Sequence, residues 1–170
     1  MLELTAVAIV PATAVRLHPM PSDEVGRAAL LFNEVWDILD LTERSPEDNE
    51  QMLSAALESR NLWRPSGTPK NHAISDWQVS RVYAELDDGA NALAFAAMSL
   101  ALCEAHQLGA FLTGYAHEAI ARSHSVLGDS AMARRHLHQA TIQAGRLADQ
   151  GERQMLDDEL ADVERLLRMN

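Results

Sequence analysis

An internal repeat with a period of 41 residues constrains the fold of this chain more than any other feature of its sequence. In each copy a helix-like segment ends at a leucine, Leu86 or Leu127, and a turn containing Asp and Gly follows. Small residues then recur seven positions apart, as at Ala92 and Ser99. Self-similarity at such a period is typical of stacked helical hairpins, because each hairpin buries its apolar face only against its neighbours. The matching positions of the second copy hold Ala133 and Ala140.

The composition indicates one all-α domain. The 170 residues are 47% apolar and 23% charged, which is enough to bury a core, and runs of β-branched residues are few. The net charge of −11 disfavours a nucleic-acid-binding or anionic-membrane-binding protein. Cys103 is the single cysteine and permits no intrachain disulfide, so we expect a cytoplasmic protein.

Capping signals and apolar periodicity predict about seven helices joined mostly by short turns, so that neighbouring helices lie antiparallel. Ser45 and Asp129 each stand where a helix N-cap is expected. The stretch 63–70 is rich in Pro and Gly and predicts an irregular loop. The predicted helices are 22–41, 46–62, 71–86, 90–106, 110–127, 130–149 and 152–167.

The first 21 residues predict an N-terminal arm that packs on the helical body. Their apolar run is too short to span a bilayer, and Glu3 stands where a signal peptide carries positive charge. A secretory signal and an overlong predicted start are the alternatives. The remaining segment, 22–170, predicts a single helical domain. It divides into a divergent first hairpin at 22–62, two repeat hairpins at 71–149 and a capping helix at 152–168.

The two repeat copies resemble tetratricopeptide repeats over roughly residues 73–145. The resemblance implies antiparallel hairpins stacked as a short right-handed solenoid. Ser80 and Ala121 replace the glycine of that family's first helix, and the period exceeds the usual value of about 34, so the chain is described as tetratricopeptide-like. The stretch that begins at Ser59 and ends at Leu86 also resembles a group of bacterial proteins. The residues that carry the repeat resemblance are Ser80, Tyr83, Leu86, Ala92, Ser99, Ala121, His124, Leu127, Gly128, Asp129, Ala133 and Ala140.

One face of the third helix and the matching face of the fifth predict a binding groove. Helical spacing places Trp77 and Arg81 on one side of the third helix, opposite its predicted core residues. The offset of 41 leads to Tyr115, Glu118 and Arg122 on the fifth helix. Since the first helices of tetratricopeptide-like hairpins line the concave surface, the resemblance implies that these five residues form the groove floor.

Two arginines beside aromatic rings suit an anionic partner. A guanidinium group binds a carboxylate or phosphate through two parallel hydrogen bonds, and an aromatic face holds the adjoining apolar part. The sequence therefore predicts recognition of an acidic or carboxylate-bearing segment, which charge reversal of both Arg81 and Arg122 should abolish without unfolding. The alternative is that both arginines pair with Glu85 and Glu118 as surface ion pairs of small energetic value.

Basic and aromatic residues before the third helix predict a rim for this groove. Arg60, Trp63, Lys70 and His72 fall in or beside the predicted loop, and loops carry function more often than cores do. The alternative for Trp63 is a plug that covers the end of a hairpin.

No motif predicts catalysis, a metal site or a cofactor. The chain has no H-E-x-x-H motif, no paired cysteines, no phosphate-binding Gly-rich loop and no nucleophile elbow. Cys103 and His106 could share a metal ion, but their spacing implies no third ligand, and the two-residue offset of His136 and His138 points their side chains apart on a helix. We therefore predict a non-catalytic interaction module that binds a protein or peptide partner, with a small-molecule sensor or enzyme as the alternative. A homodimer is compatible with either, since a short stack leaves apolar ends.

Overall fold

The computed structural model describes residues 24–169, and within that range the chain is entirely helical, as the composition predicts. The predicted arm at 1–21 and the start of the first helix at Ser22 lie outside the described residues. Seven helices follow one another without a strand in the described range. They are α1 Glu24–Leu39, α2 Pro46–Ser66, α3 Pro69–Glu85, α4 Gly89–Ala105, α5 Gly109–Val126, α6 Ser130–Ala144 and α7 Gln150–Met169.

Side-chain caps determine where α2 and α3 begin. The hydroxyl of Ser45 accepts from the backbone N–H of Asp48, whose carboxylate accepts from the Ser45 N–H in return. Thr68 and Asn71 repeat this reciprocal arrangement at the start of α3, and a proline follows each cap. Such capping boxes satisfy backbone donors that have no partner inside the helix. The predicted cap at Asp129 is confirmed, because its carboxylate accepts from Met132 N–H at 3.1 Å.

The predicted loop at 63–70 is wrong for most of its length. Helix α2 continues through Pro65 to Ser66, so Gly67 and Thr68 alone separate it from α3. A proline removes one helical hydrogen bond and crowds the preceding turn, but here it falls in the last turn, where the helix is about to end. The sixth helix is shorter than predicted and ends at Ala144, and the carboxylate of Asp149 accepts from the N–H of Glu152 in the first turn of α7.

Small residues let the two helices of each hairpin approach closely. Ser99 on α4 donates from its hydroxyl to the Ala73 carbonyl of α3 at 2.8 Å. Ser59 on α2 makes the same contact with the Ala28 carbonyl of α1, also at 2.8 Å. In the third pair, α5 and α6, the corresponding position holds the fully buried Ala140. Helices α1 to α6 each pack mainly on their neighbours along the chain, which is consistent with stacked hairpins. The hand of the stack stays a prediction.

The last helix covers part of the stack. Helix α7 packs against α5 and α6 and buries Leu156, Leu160 and Val163 along one stripe. Gly114 on α5 makes this approach possible, because a Cβ there would lie 2.5 Å from Cδ2 of Leu156. The apolar stripe of α7 thus meets the face of α5 on which a groove is predicted.

Candidate functional site

The predicted arginine pair converges on one carboxylate supplied by the last helix. Nη1 of Arg81 lies 2.7 Å from Oε2 of Glu159, and Nη2 of Arg122 lies 2.9 Å from the same oxygen. Helices α3 and α5 thus direct their arginines to a common point, as the repeat offset predicts. The acid that fills this point belongs to the chain itself.

The ion pairs continue on both sides of Glu159. Arg122 donates from Nε to Glu118 at 2.7 Å, and Arg81 donates from Nε to Glu85 at 3.1 Å. The second oxygen of Glu85 accepts from Arg44 in the α1–α2 connection at 3.2 Å. Three arginines therefore alternate with three glutamates along one chain of contacts. A network of this kind is costly to break at its buried inner members, such as Glu159 and Arg122, because removal of one of those charges leaves its partners buried and uncompensated.

Four of the five predicted floor residues are buried in the structure. Trp77, Tyr115 and Glu118 are each 1% exposed and Arg122 is 4% exposed, whereas Arg81 is only partly covered. The expectation of an open floor formed by these side chains is therefore corrected. Periodicity places them on one helix face, but the position of α7 relative to that face is set by tertiary packing.

The two predicted floor aromatics belong to a buried ring cluster. Trp77 packs on Trp36 of α1 at a centroid distance of 5.7 Å and meets Tyr115 edge to face at 5.4 Å. Phe111 packs on Tyr115 at 4.9 Å. The Trp77 indole also donates to Glu118 over 3.5 Å. These rings therefore form part of the core. The buried hydroxyl of Tyr115 has no hydrogen-bond partner.

Opposing effects of burial and ion pairing determine the charge states in the network. Burial by itself lowers the pKa of Arg81, but the carboxylates of Glu159, Glu85 and Glu118 outweigh it and raise the pKa above its ordinary value. Burial raises the pKa of Glu85, yet Arg81 and two further arginines bring it below the usual range. For Glu118 burial prevails, and its pKa is raised. We therefore expect Glu118 to bind a proton at a higher pH than Glu85 does.

An open cleft of about 540 Å³ adjoins the network where the C-terminal ends of α3, α5 and α7 meet. Three arginines and three acids line it, together with apolar side chains. Arg165 is 62% exposed at the side chain and forms an ion pair with Asp162, one turn earlier on α7. Such a lining suits a ligand that combines charge with apolar surface. The lining residues are Arg81, Ala84, Glu85, Asp87, Arg122, Ser125, Val126, Asp162, Arg165, Leu166 and Met169.

The predicted rim residues lie elsewhere. Arg60 forms an ion pair with Asp76 and lies over the Phe95 ring, 4.9 Å from its centroid. Trp63 is 5% exposed and packs in the core. This burial agrees with the alternative prediction that Trp63 is a plug and disagrees with a role at the rim. Lys70 lines neither this cleft nor the smaller cavity described next. That second cavity, of about 160 Å³, shares no residue with the cleft; its lining is Arg60, Arg64, His72, Ser75, Asp76 and Leu102.

Sequence reasoning missed Glu159, although a signal for it exists. Glu159 follows Leu156 by three positions and precedes Leu160 and Val163, so it lies inside the apolar stripe of an amphipathic helix. An acid on the buried face of a helix needs a cationic partner. Arg81 and Arg122, predicted to face one groove from the third and fifth helices, are the candidates that this signal points to.

Comparison with known proteins identifies no relative: no protein-family model, curated protein or solved structure matches this chain. Of the helices from Glu24 to Met169, none has the length and apolar character needed to cross a membrane. The same range contains no cluster of three or more His, Cys, Asp or Glu side chains arranged to hold a metal ion.

Proposed function

We propose that this protein is a non-catalytic, tetratricopeptide-like binding module that takes a carboxylate-bearing or acidic segment of a protein partner. The observation that carries the proposal is the shared contact of Arg81 and Arg122 with one oxygen of Glu159, at 2.7 and 2.9 Å. Two guanidinium groups from adjacent hairpins are thus spaced to hold a carboxylate. Charge-assisted hydrogen bonds of this kind are among the stronger polar contacts in proteins.

The open cleft is where a partner would contact the protein beside these arginines. Arg81 and Arg122 form part of its wall, and Arg165 extends from α7 into solvent beside them. Since Glu159 already engages the inner pair, we infer that Arg165 makes the first contact with an incoming carboxylate by exchanging its exposed partner, Asp162. Leu166 and the largely exposed Met169 supply apolar surface next to it. Charge would orient the partner segment, and apolar burial would add affinity.

A small anionic molecule in the same cleft is the second candidate. A volume of about 540 Å³ falls within the range of small-molecule sites, roughly 300–1,000 Å³. Under this alternative the protein is a sensor of a small carboxylate. A thermal-shift screen of small dicarboxylates, with no affinity for acidic peptides, would favour it over the peptide-binding module.

Charge reversal of Arg81 and Arg122 is unsuitable as a test, contrary to the expectation from sequence. Both arginines contact Glu159, so glutamates in their place would bring like charges together in a buried site and destabilise the fold. An exposed residue of the cleft is a better choice. Arg165→Glu changes the cleft charge, while Arg168→Glu makes the same change one turn later, at an exposed residue that does not line the cleft.

The experiment measures binding of a fluorescent oligoglutamate peptide with a free carboxyl terminus by fluorescence anisotropy, with an amidated oligoglutamine peptide as the negative probe. We expect wild type and Arg168→Glu to bind the acidic peptide equally and Arg165→Glu to bind it at least about tenfold more weakly, a difference of about 1.4 kcal/mol. Equal weakening by both substitutions would indicate a general charge effect. That outcome, or an absence of binding to wild type, would overturn the acidic-peptide module.

A further inference from the structure

A pair of histidines on α5 and α6 brings two ring nitrogens together, away from the cleft. Nδ1 of His117 lies 3.1 Å from Nδ1 of His136, and the ring centroids are 5.3 Å apart. Both side chains are half-buried at the edge of the helix pair. Neither residue lines the cleft, so the proposed binding function does not use this pair.

The separation of the two nitrogens is close to that of two ligands on one metal ion. Zinc–imidazole bonds are roughly 2.0–2.1 Å long, and two such ligands in tetrahedral geometry stand about 3.3–3.4 Å apart. The observed 3.1 Å is a few tenths of an ångström shorter. A small rotation of either ring would open the pair enough for an ion to sit between the nitrogens.

The local environment keeps both imidazoles in the form that binds metals. Burial lowers the pKa of His117. Burial, followed by the nearby His117, His124 and Arg135, lowers the pKa of His136 to about 4. Both rings are therefore neutral near pH 7, as metal coordination requires. In the metal-free pair one Nδ1–H donates to the other Nδ1; on binding, that proton moves through solvent to Nε2 of the same ring, so no net proton is released.

We propose that His117 and His136 form a two-histidine site for a divalent transition-metal ion of the Zn²⁺ type. The described residues provide no set of three or more such ligands around one point, so water fills the remaining coordination positions. Imidazole nitrogen favours Zn²⁺, Ni²⁺ and Cu²⁺ over Mg²⁺ and Ca²⁺. The site is thus open and exchangeable, in contrast to the closed four-ligand sites that stabilise a fold.

A neighbouring histidine supplies a polar side to the site. The His124 ring stacks on His136 with centroids 6.2 Å apart, and its buried Nδ1 has no hydrogen-bond partner. A carboxylate oxygen of Asp129 stands 3.8 Å from that nitrogen. The His124 ring therefore borders the proposed site on the side of His136.

The test is a calorimetric titration of the full chain with Zn²⁺ alone, and with Mg²⁺ as the control ion. We expect one Zn²⁺ per chain and no response to Mg²⁺. His117→Ala and His136→Ala should each weaken Zn²⁺ binding by at least about tenfold. Loss of a residue that only hydrogen-bonds a metal ligand already weakens metal binding by about tenfold or more, and these two residues are the ligands themselves. His138→Ala should leave it unchanged, because His138 is exposed on α6 and lies two positions from His136.

A second measurement identifies the coordinating atoms directly. Imidazole ¹⁵N spectra of the wild-type protein should show Zn²⁺-dependent shifts of the Nδ1 signals of His117 and His136, and circular dichroism of each variant checks that it is folded. A lack of Zn²⁺ binding in wild type would overturn the proposal. Retention of binding in folded His117→Ala and His136→Ala, or equal loss in His138→Ala, would also overturn it.

Discussion

Gly114 on α5 faces Leu156 on α7 so closely that a Cβ at residue 114 would lie 2.5 Å from Leu156 Cδ2. Real Cβ atoms are essentially never this close to another heavy atom, and Leu156 is fully buried. The last helix therefore docks on the stack at a point where the absence of a side chain on Gly114 leaves room for Leu156. Its docking brings Glu159 to the two arginines.

Substitution of this glycine should weaken the docking of α7. Alanine gains up to about 1 kcal/mol in helix propensity over glycine, but overpacking a core costs roughly 1–3 kcal/mol. We expect Gly114→Ala to lower the free energy of unfolding by about 1 kcal/mol, and Gly114→Val to lower it by more. Urea unfolding measures both, and faster amide exchange in α7 would locate the effect. Gly145→Ala is the matched control, because its Cβ meets only ordinary contacts at 3.5–3.6 Å. A similar loss of unfolding free energy in Gly145→Ala would contradict the close fit of Gly114 against Leu156.

Glu159 should contribute far more to stability than an exposed glutamate of the same helix. Removal of one member of a buried charge network leaves the others uncompensated and costs roughly 3–5 kcal/mol. We expect Glu159→Gln, which keeps the shape, to lower the free energy of unfolding by about 3 kcal/mol. Glu164→Gln removes an exposed pair with Arg168 and should change it by less than about 0.5 kcal/mol. Equal effects of the two substitutions in chemical denaturation would contradict the network.

The histidine pair should make the fold less stable as the pH falls. An unfolded histidine has a pKa of about 6.5, whereas folded His136 has a pKa of about 4 and that of His117 is also lowered. Between these values the unfolded chain binds more protons, so stability present above about pH 6.5 decreases towards pH 4. The raised pKa of Glu118 acts in the opposite direction at pH values above the ordinary glutamate pKa of about 4.3, so its effect overlaps this range. We therefore expect His136→Ala to flatten the dependence of the urea midpoint on pH, and His138→Ala to preserve it; identical slopes in all three proteins would refute the assignment.

Cys103 should be unreactive until the protein unfolds. It is 1% exposed, and burial raises the pKa of its thiol to about 11. Since the thiolate is the reactive form, we expect negligible reaction with Ellman's reagent near pH 8 in the native protein and one thiol per chain in urea. Rapid native labelling would show that the α4 environment opens readily.

The repeat pattern anticipates much of the fold because it records local requirements. Helix caps and short turns act within a few residues of one another, and the helices follow from them. The small residues at the hairpin crossings act over about 30 positions, from Ser99 to Ala73 and from Ser59 to Ala28, but the repeat marks their positions. The loop predicted at 63–70 fails for a related reason. A proline indicates the end of a helix only to within about one turn, and Pro65 lies inside the last turn of α2. Thr68 then caps α3 two residues after α2 ends, which leaves no room for a longer loop.

The candidate site, too, is predictable from the sequence only where its residues have a fixed spacing. The offset of 41 places Arg81 and Arg122 on matching helix faces, and that relationship is present in the sequence alone. Their shared acid, Glu159, lies 37 positions beyond Arg122, and the partnership of His117 with His136 crosses from α5 to α6. Neither contact has a fixed spacing in the sequence, because each depends on how whole helices pack.

The sequence by itself determined the all-helical class, the period of the hairpins and the placement of two arginines on matching faces of the first helices of the two repeats, since each follows from local propensity and helical geometry. Tertiary structure alone decided that α7 lies over the predicted groove, that its glutamate engages the arginine pair, and that the open cleft is confined to the helix ends. The physical reason is that a buried charge finds its partner only when separate helices dock, and the close fit of Leu156 against Gly114 is one of the contacts on which that docking depends.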